Sequence, residues 1–279
     1  MRVYLAQIRP FLGDVEKNLI KHEAEIEKAL TAGCDMIVFP ELSLTGYYLQ
    51  DLVSDVALRE DDPEIQRLIK LSETISIVFG FVYESEESLF YNAAAYLEDG
   101  EIKHIHRKVY LPDYTMFEEA RYFAAGDRFL SFDTKFGKCG MLLCEDSLHI
   151  SSSYIMSQSG VQNLFILSNS PARGVSGDAL HAADLWQMSN RYTSTVLTVN
   201  LIFVNRVGVE DGVAFWGGSE VYSALGEKRA ALPMFEETGS CVELDQRDIR
   251  RARIANPFFR DEKPAILMNF LRRRFSDEA

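Results

Sequence analysis

Three residues whose types together can break an acyl bond stand at the ends of three separate segments. Cys144 closes an apolar run and is followed by two acids, Glu41 closes a second apolar run, and Lys108 ends a basic segment. A thiol, a carboxylate and an ammonium that meet at one acyl carbon supply a nucleophile, a base and an anion-stabilising cation. Taken singly, each also fits a plainer role as a buried structural cysteine, a solvent-facing acid or a surface lysine.

The sequence around these three residues resembles the nitrilase, or carbon–nitrogen hydrolase, superfamily, whose Glu–Lys–Cys site matches Glu41, Lys108 and Cys144. Within it, the chain most resembles the glutamine-hydrolysing domain of glutamine-dependent NAD synthetase. The S-G-G-x-D-S phosphate loop of those synthetases is not found here, so we expect a free-standing hydrolase. The matching stretches are Pro40-Glu-Leu-Ser-Leu-Thr-Gly-Tyr47 with Asp51-Leu52, Leu111-Pro-Asp-Tyr114, Phe117-Glu-Glu-Ala-Arg-Tyr-Phe123 and Cys144-Glu-Asp146.

The resemblance implies a role for each catalytic residue. Cys144 is expected to be the nucleophile and Glu41 the general base. Lys108, with the backbone N–H of Glu145, is expected to stabilise the oxyanion. The family also carries a second carboxylate ahead of a Gly-Asp pair, which counting back from that pair places at Glu119, with the neighbouring Glu118 as the alternative.

Further residues match positions that contact the substrate in the glutaminase branch. Tyr47 and Glu145 are the first two, and Glu145 offers a carboxylate for an α-ammonium group. Ser168 and Ser170 lie in a segment that resembles the loop lining the same pocket. As alternatives, Tyr47 is a packing residue and Glu145 is an acid favoured by a helix start.

Composition excludes several classes of partner and cofactor. The net charge of −13 over 279 residues argues against nucleic acid and anionic membranes, which both reward clustered Lys and Arg. No apolar stretch approaches the ~20 residues that span a bilayer. His104 and His106 share a strand face but have no convincing third ligand, so we expect neither a metal nor another cofactor.

The four cysteines predict a reducing environment. None of them forms a C-x-x-C pair, and no secretory signal opens the chain, so we expect reduced thiols and a cytoplasmic location. The cysteines are Cys34, Cys139, Cys144 and Cys241.

Strand and helix patterns alternate along the chain and predict an α/β fold in a single domain over residues 1–279. The first helix is expected after Asp14, ended by Gly33, and Asp99-Gly100 is expected to join two strands as a hairpin. The resemblance implies more: a four-layer αββα sandwich that forms homo-oligomers. The residues expected on the buried face of the first helix are Leu19, Ile20, Ile26, Ala29 and Leu30. Further strands are expected at 75–83, 92–98, 101–110, 129–133, 139–143, 164–168, 197–205, 219–222 and 241–244, and further helices at 63–74, 147–160 and 178–193.

The function that follows is a cysteine-dependent amidohydrolase acting on a small linear, glutamine-like amide. The acyl group forms a thioester on Cys144, ammonia leaves, and water releases the acid. Alternatives are an N-carbamoyl or aliphatic amide substrate, an ammonia-supplying subunit of a separate synthetase, and a catalytically idle binding partner. Phe215 and Trp216, in the loop 209–217, are expected either to wall the pocket or to pack elsewhere.

Overall fold

The computed structural model describes residues 1–176 and 179–275 of the chain. It holds two six-stranded sheets. The strands of the first sheet lie in the order β16-β1-β2-β3-β4-β5, with β1, β2 and β3 parallel and the outer strands antiparallel. Numbered in chain order, they are β1 (Arg2–Gln7), β2 (Met36–Val38), β3 (Ser76–Glu84), β4 (Phe90–Glu98), β5 (Glu101–Arg107) and β16 (Thr238–Glu243).

The second sheet repeats this arrangement in the order β15-β14-β11-β8-β7-β6, with β7, β8 and β11 parallel. Its strands are β6 (Ser131–Thr134), β7 (Gly137–Leu143), β8 (Asn163–Ser168), β11 (Asn200–Asn205), β14 (Glu220–Tyr222) and β15 (Lys228–Ala231). Two small antiparallel pairs stand outside both sheets: β9 (Val175–Ser176) with β10 (Ala179–Leu180), and β12 (Val207–Glu210) with β13 (Val213–Trp216).

Most of the helices lie between strands, where the longer ones cover the outer faces of the sheets, and the last three follow the final strand. They are α1 (Val15–Thr31), α2 (Val53–Val56), α3 (Pro63–Leu71), α4 (Glu119–Tyr122), α5 (Ile150–Gln158), α6 (His181–Leu197), α7 (Arg247–Ala255), α8 (Phe258–Asp261) and α9 (Pro264–Phe275), with 3₁₀ turns at Gln50–Leu52 and Cys144–Leu148. Among the helices of the described residues, none is both long and apolar enough to cross a membrane.

Side chains from the two sheets interdigitate in the central core. Val3 and Val78 of the first sheet share one buried cluster with Met141 and Ile202 of the second. A second cluster packs α1 and α3 against the outer face of the first sheet, and a third packs α5 and α6 against the second. Helix, sheet, sheet and helix therefore lie in four layers, which confirms the expected αββα sandwich.

The first helix begins as predicted but buries a narrower face than predicted. Asp14 caps it by accepting a hydrogen bond from the Lys17 N–H at 3.1 Å. Leu19, Ile26 and Ala29 are buried, whereas Ile20 and Leu30 are exposed, so their predicted burial was wrong. With the buried His22, these three buried residues form a stripe with i, i+3, i+7 and i+10 spacing. Each of the two exposed side chains lies one position past a buried residue, about 100° around the helix.

The prediction of the boundary between α6 and β11 was also wrong. A strand was expected from Leu197, but α6 continues to that residue and β11 starts at Asn200. Thr198 takes a left-handed backbone (φ 54°) and ends the helix. The predicted start of this helix, Asp178, lies outside the described residues. By contrast, the hairpin at Asp99-Gly100 is confirmed, with both residues at positive φ.

The expectation that all cysteines are reduced is corrected for one pair. The structure joins Cys34 and Cys241 in a disulfide with a Cα–Cα distance of 6.4 Å. The two residues are 207 positions apart in sequence but close in the fold, with Cys34 just before β2 and Cys241 on β16. Chain spacing carries no sign of such a pair. Cys139 and Cys144 are free thiols.

Candidate active site

Glu41 lies just beyond the short strand β2, where the backbone presses against β3. A Cβ on Gly80 would lie 2.3 Å from the Leu42 nitrogen and 2.8 Å from the Glu41 Cα. Leu42 itself has a left-handed backbone (φ 45°) that turns the chain away from the sheet. The Glu41 side chain is fully buried. Its position is therefore fixed by a close backbone contact that requires glycine at residue 80.

Lys108 follows β5 and projects its ammonium between two carboxylates. Its Nζ donates to Glu41 Oε1 at 2.7 Å and to Glu119 Oε1 at 2.8 Å, and its side chain is 0% exposed. The backbone is held as well, since the Lys108 N–H donates to the Asn92 carbonyl at 2.8 Å. The two carboxylates outweigh the effect of burial and raise the pKa of Lys108 well above its usual value, so it is a cation.

The second carboxylate beside Lys108 is Glu119, the first residue of α4, whereas Glu118 is exposed. Glu119 Oε1 also accepts a hydrogen bond from the Tyr47 hydroxyl at 2.7 Å. Burial, the largest influence, raises the pKa of Glu119 to about 7, although Lys108 pulls it down. The structure thus brings the predicted residue, rather than its neighbour, to the ammonium.

Asn92 connects the two carboxylates and was missed by the sequence reasoning. Its Nδ2 donates to Glu41 Oε1 at 2.8 Å and to Glu119 Oε2 at 3.4 Å. The signal was present: Asn92 is the polar residue inside the otherwise apolar run of β4. A buried polar side chain in such a run needs partners, and here the partners are the site carboxylates.

Cys144 stands on a sharp turn at the end of β7. Its backbone is left-handed (φ 45°), an uncommon conformation for a residue with a side chain, and a 3₁₀ turn starts at this residue. The Ser168 hydroxyl donates to its sulfur at 3.5 Å. Burial, and next the Glu41 carboxylate, raise the pKa of the Cys144 thiol, and Lys108 does not offset them. The thiol is therefore protonated at neutral pH and needs a base to react.

A buried histidine–aspartate pair joins the cysteine turn to the lysine segment. Asp146 accepts from His106 Nε2 at 2.8 Å and from the Leu143 N–H at 3.2 Å. Its other oxygen accepts from the backbone N–H groups of Val109 and Tyr110 at 3.0 and 2.9 Å. One carboxylate thus ties the residues just after Lys108 to the residue just before Cys144. Asp146 is thus the hydrogen-bond partner of His106.

A cavity of about 220 Å³ opens beside the Cys144 thiol, and it is lined by two of the expected substrate-contacting residues, Glu145 and Ser170. Glu145 Oε2 accepts from the Tyr114 hydroxyl at 2.9 Å. The Ser170 hydroxyl accepts from the indole N–H groups of Trp186 and Trp216, at 2.9 and 3.1 Å. The remaining lining residues include Phe117, Leu148, Pro171, Arg173, His181 and Leu185.

Tyr47 and Ser168 take positions other than the expected pocket wall. The Tyr47 side chain is engaged by Glu119 and lines a separate cavity of about 140 Å³. Ser168 contacts the sulfur and accepts from the Ser170 N–H at 3.1 Å. The spacing of these residues identified the neighbourhood of the site, but it carried no information on side-chain direction. Trp216 is fully buried, and its indole N–H donates to the Ser170 hydroxyl that lines the pocket.

The chain matches the carbon-nitrogen hydrolase family model over residues 2–254. It belongs to that family. The crystal structure of a carbon-nitrogen hydrolase from Helicobacter pylori G27 matches with a TM-score of 0.88 at 25% identity, covering 97% of this chain and 98% of that one. The fold and family expected from the residues around Glu41, Lys108 and Cys144 are confirmed.

Two curated relatives are glutamine-dependent NAD(+) synthetases. That of Thermotoga maritima is 35% identical over 263 residues, which is 92% of this chain and 44% of the relative. That of Acinetobacter baylyi is 32% identical over 265 residues, which is 95% of this chain and 47% of the relative. The chain therefore spans about half the length of the curated relatives it matches.

Proposed function

We propose that this chain is a cysteine-dependent amidohydrolase that cleaves the C–N bond of a small linear amide. The observation that carries the proposal is the ammonium of Lys108, buried between Glu41 and Glu119 at 2.7 and 2.8 Å, beside a thiol on a left-handed turn. A scaffold has no need of a buried cation, two carboxylates and a strained cysteine at one point, since such groups are costly to bury.

In the proposed reaction, Glu41 takes the proton of the Cys144 thiol, which is not ionised on its own. The sulfur attacks the amide carbon, and Lys108 with the Glu145 backbone N–H stabilises the oxyanion. Glu41 returns the proton to the departing nitrogen, so that ammonia leaves and a thioester remains on sulfur. Glu41 then takes a proton from water, which attacks the thioester, and passes it to the Cys144 sulfur as the acid is released.

A glutamine-like amino acid is the proposed substrate class. Glu145 and Arg173 both line the cavity beside Cys144. One carboxylate and one guanidinium match the α-ammonium and α-carboxylate of an amino acid. The Arg173 guanidinium lies over the Phe117 ring at 5.0 Å and donates to the Thr115 hydroxyl at 3.1 Å, which holds it in place. A cavity of about 220 Å³ suits a small molecule of this kind.

A second candidate function uses the same chemistry to supply ammonia to another enzyme. The curated relatives named above are glutamine-dependent synthetases, and this chain covers 44% and 47% of their length. We propose as the alternative that the chain supplies ammonia to a separate synthetase. N-carbamoyl and aliphatic amides remain competing substrate classes, because neither needs the paired charges of Glu145 and Arg173.

The test is ammonia release from L-glutamine, L-asparagine, propionamide and an N-carbamoyl amine. Wild type is compared with Cys144→Ala and with the control Cys139→Ala, which removes a free thiol from the core between the sheets. We expect release from glutamine that is lost in Cys144→Ala and kept in Cys139→Ala. Release from propionamide in preference to glutamine would contradict the substrate class. Release that appears only when a synthetase is added would favour the second candidate.

We also propose that the protein pairs with a second copy of itself and works in the cytoplasm. Large apolar side chains are exposed on α6 and α9, among them Met188, Tyr192, Ile266 and Phe270. Exposed apolar side chains in such numbers are typical of interfaces. Sedimentation equilibrium tests the pairing: a dimer or larger assembly is expected, and a monomer at micromolar concentration would contradict it.

A further inference from the structure

A buried ion pair runs along the first strand of the hairpin formed by β12 and β13, from Arg206, just before β12, to Glu210 beside the turn. Arg206 Nη1 lies 2.7 Å from Glu210 Oε2, and the two side chains are 0% and 4% exposed. The other oxygen of Glu210 accepts hydrogen bonds from the backbone N–H groups of Tyr47 and Tyr48, both at 2.8 Å. One carboxylate therefore attaches the hairpin to the loop that follows Glu41.

This attachment continues through Tyr47 to the reacting centre. The Arg206 guanidinium lies over the Phe215 ring at 4.3 Å, and Phe215 meets the Tyr47 ring edge-on at 6.2 Å. The Tyr47 hydroxyl then donates to Glu119 at 2.7 Å. Tyr47 is thus held at its backbone by Glu210 and at its ring by Phe215, while its hydroxyl reaches the carboxylate that binds Lys108.

The ion pair is a poor source of stability. Among the described residues, Nε and Nη2 of Arg206 have no hydrogen-bond partner, and burial lowers the pKa of this guanidinium. Buried pairs with incomplete hydrogen bonding contribute little net stability, and apolar replacements of similar volume are often neutral. The distinctive contribution of the Arg206–Glu210 pair is therefore the position it gives to the Tyr47 backbone.

We propose that Glu210, oriented by Arg206, is a positioning residue that holds the Tyr47 hydroxyl against Glu119. This inference rests on the proposed function, in which Glu119 orients the Lys108 ammonium at the reacting centre. Without Glu210, the loop after Glu41 loses the acceptor of two adjacent N–H groups, and the Tyr47 hydroxyl is no longer held within hydrogen-bond distance. Glu119 then restrains Lys108 less well.

The proposal has a consequence for the pH dependence of the site. The titratable groups that face Glu119 from the surrounding elements are Lys108, Glu41, Tyr47 and Cys144. Glu118 and Asp211 line the separate cavity of about 140 Å³ that Glu119 also lines. The Tyr47 hydrogen bond stabilises the ionised form of this carboxyl, which titrates at about 7. Loss of that bond moves the pKa upward, so more of Glu119 is protonated at neutral pH. If activity needs the ionised form, then on lowering the pH the activity is lost at a higher pH than in wild type.

The experiment is a double-mutant cycle on kcat measured from pH 5.5 to 9. Tyr47→Phe and Glu210→Gln are each expected to move the acid limb upward by about half a pH unit or more and to lower kcat about tenfold, with KM changed less than twofold. The double variant is expected to match Tyr47→Phe, because both changes remove one interaction. The control is Glu220→Gln, another buried carboxylate, which bonds to Asn190 and Tyr222 instead.

Several results would overturn the proposal. One is an acid limb in Glu210→Gln that stays where wild type has it. Another is a double variant whose fold reduction in kcat equals the product of the reductions in the two single variants. A third is an equal shift in Glu220→Gln, which would indicate a general effect of buried charge. If Glu210→Gln does not fold, Glu210→Asp keeps the charge, shortens the reach, and is expected to give the same upward shift.

A second readout separates this proposal from the proposed function. Iodoacetamide alkylates a cysteine with loss of iodide and of the thiol proton, and intact-mass spectrometry follows the reaction at Cys144 without any turnover. If wild type releases no ammonia from any amide, the proposed function fails. The pH dependence of Cys144 alkylation in Glu210→Gln and Tyr47→Phe then decides the positioning role, with the same upward shift expected and an unchanged profile contradicting it.

Discussion

Lys108→Met removes the ammonium that lies between Glu41 and Glu119 while keeping an unbranched stem in its place. Both carboxylates are at most 5% exposed, so neither gains water as a substitute partner. Removing one member of a buried ion pair costs about 3–5 kcal/mol. A domain is stabilised by only about 5–15 kcal/mol in total, so this single change is expected to remove a large share of the stability.

The loss is expected to depend on pH with a definite sign. In the wild type, Glu119 releases its proton at about 7 rather than at its ordinary 4.5. The folded state thus holds an extra proton between these values, and stability falls as the pH rises through that window. Without Lys108 the folded carboxylates hold their protons to a still higher pH. The free energy of unfolding that Lys108→Met loses relative to wild type should therefore be smaller at pH 5.5 than at pH 8, by about 1–2 kcal/mol.

Urea unfolding followed by the fluorescence of Trp186 and Trp216, both buried, measures these differences. The control is Lys103→Met, on the strand that ends just before Lys108. The partner of Lys103, Glu101, is exposed, so we expect a change below about 1 kcal/mol. A Lys108→Met deficit below 1 kcal/mol at pH 8 would refute the reasoning. So would a deficit that is equal or larger at pH 5.5, because protonation would then not be replacing the ammonium.

Three further changes test the site from other sides. Gly80→Ala places a Cβ 2.3 Å from the Leu42 nitrogen. We therefore expect a loss of about 1–3 kcal/mol in the free energy of unfolding, measured in urea, and at least a tenfold fall in kcat. Unchanged values would show that the loop around Glu41 moves without cost. Asn92→Ala removes the donor shared by the two carboxylates and is expected to lower kcat about tenfold in ammonia-release assays, with KM nearly constant; a rise in KM alone would place Asn92 in substrate binding instead. Glu145→Gln is expected to raise KM for glutamine about tenfold or more and to leave KM for propionamide unchanged, and a parallel rise for both amides would count against an ammonium contact.

The parts of the fold that the sequence predicted best are those with local signals. Asp14, with its capping side chain, and the Asp99-Gly100 turn act within a few residues, and both appear where expected. Ile20 and Leu30 were misplaced because the width of a buried helix face depends on the sheet it meets, and no local pattern encodes that. The Cys34–Cys241 pair was missed for the same reason, since the two residues are 207 positions apart in sequence and close only in the fold.

The candidate site divides in a similar way. Glu41, Lys108 and Cys144 stand at strand ends, where the strand pattern of the sequence stops. Their two charged groups and one thiol limit the reactions that the site can catalyse. Asn92 and Glu210 act through contacts between residues 27 to 163 positions apart, which spacing along the chain does not reveal. For Asn92 the sequence offered one hint, because a polar residue inside an apolar segment has to find partners elsewhere in the fold.

The most direct test of the central claim is to trap the acyl-enzyme. Wild type is mixed with the amide that gives the fastest ammonia release, quenched in acid within milliseconds, and examined by intact-mass and peptide mass spectrometry. The account predicts a mass increase equal to the acyl group on the peptide that carries Cys144, absent from Cys144→Ala and present in Cys139→Ala. Ammonia release that persists in Cys144→Ala, or an acyl group found on another residue, would contradict it.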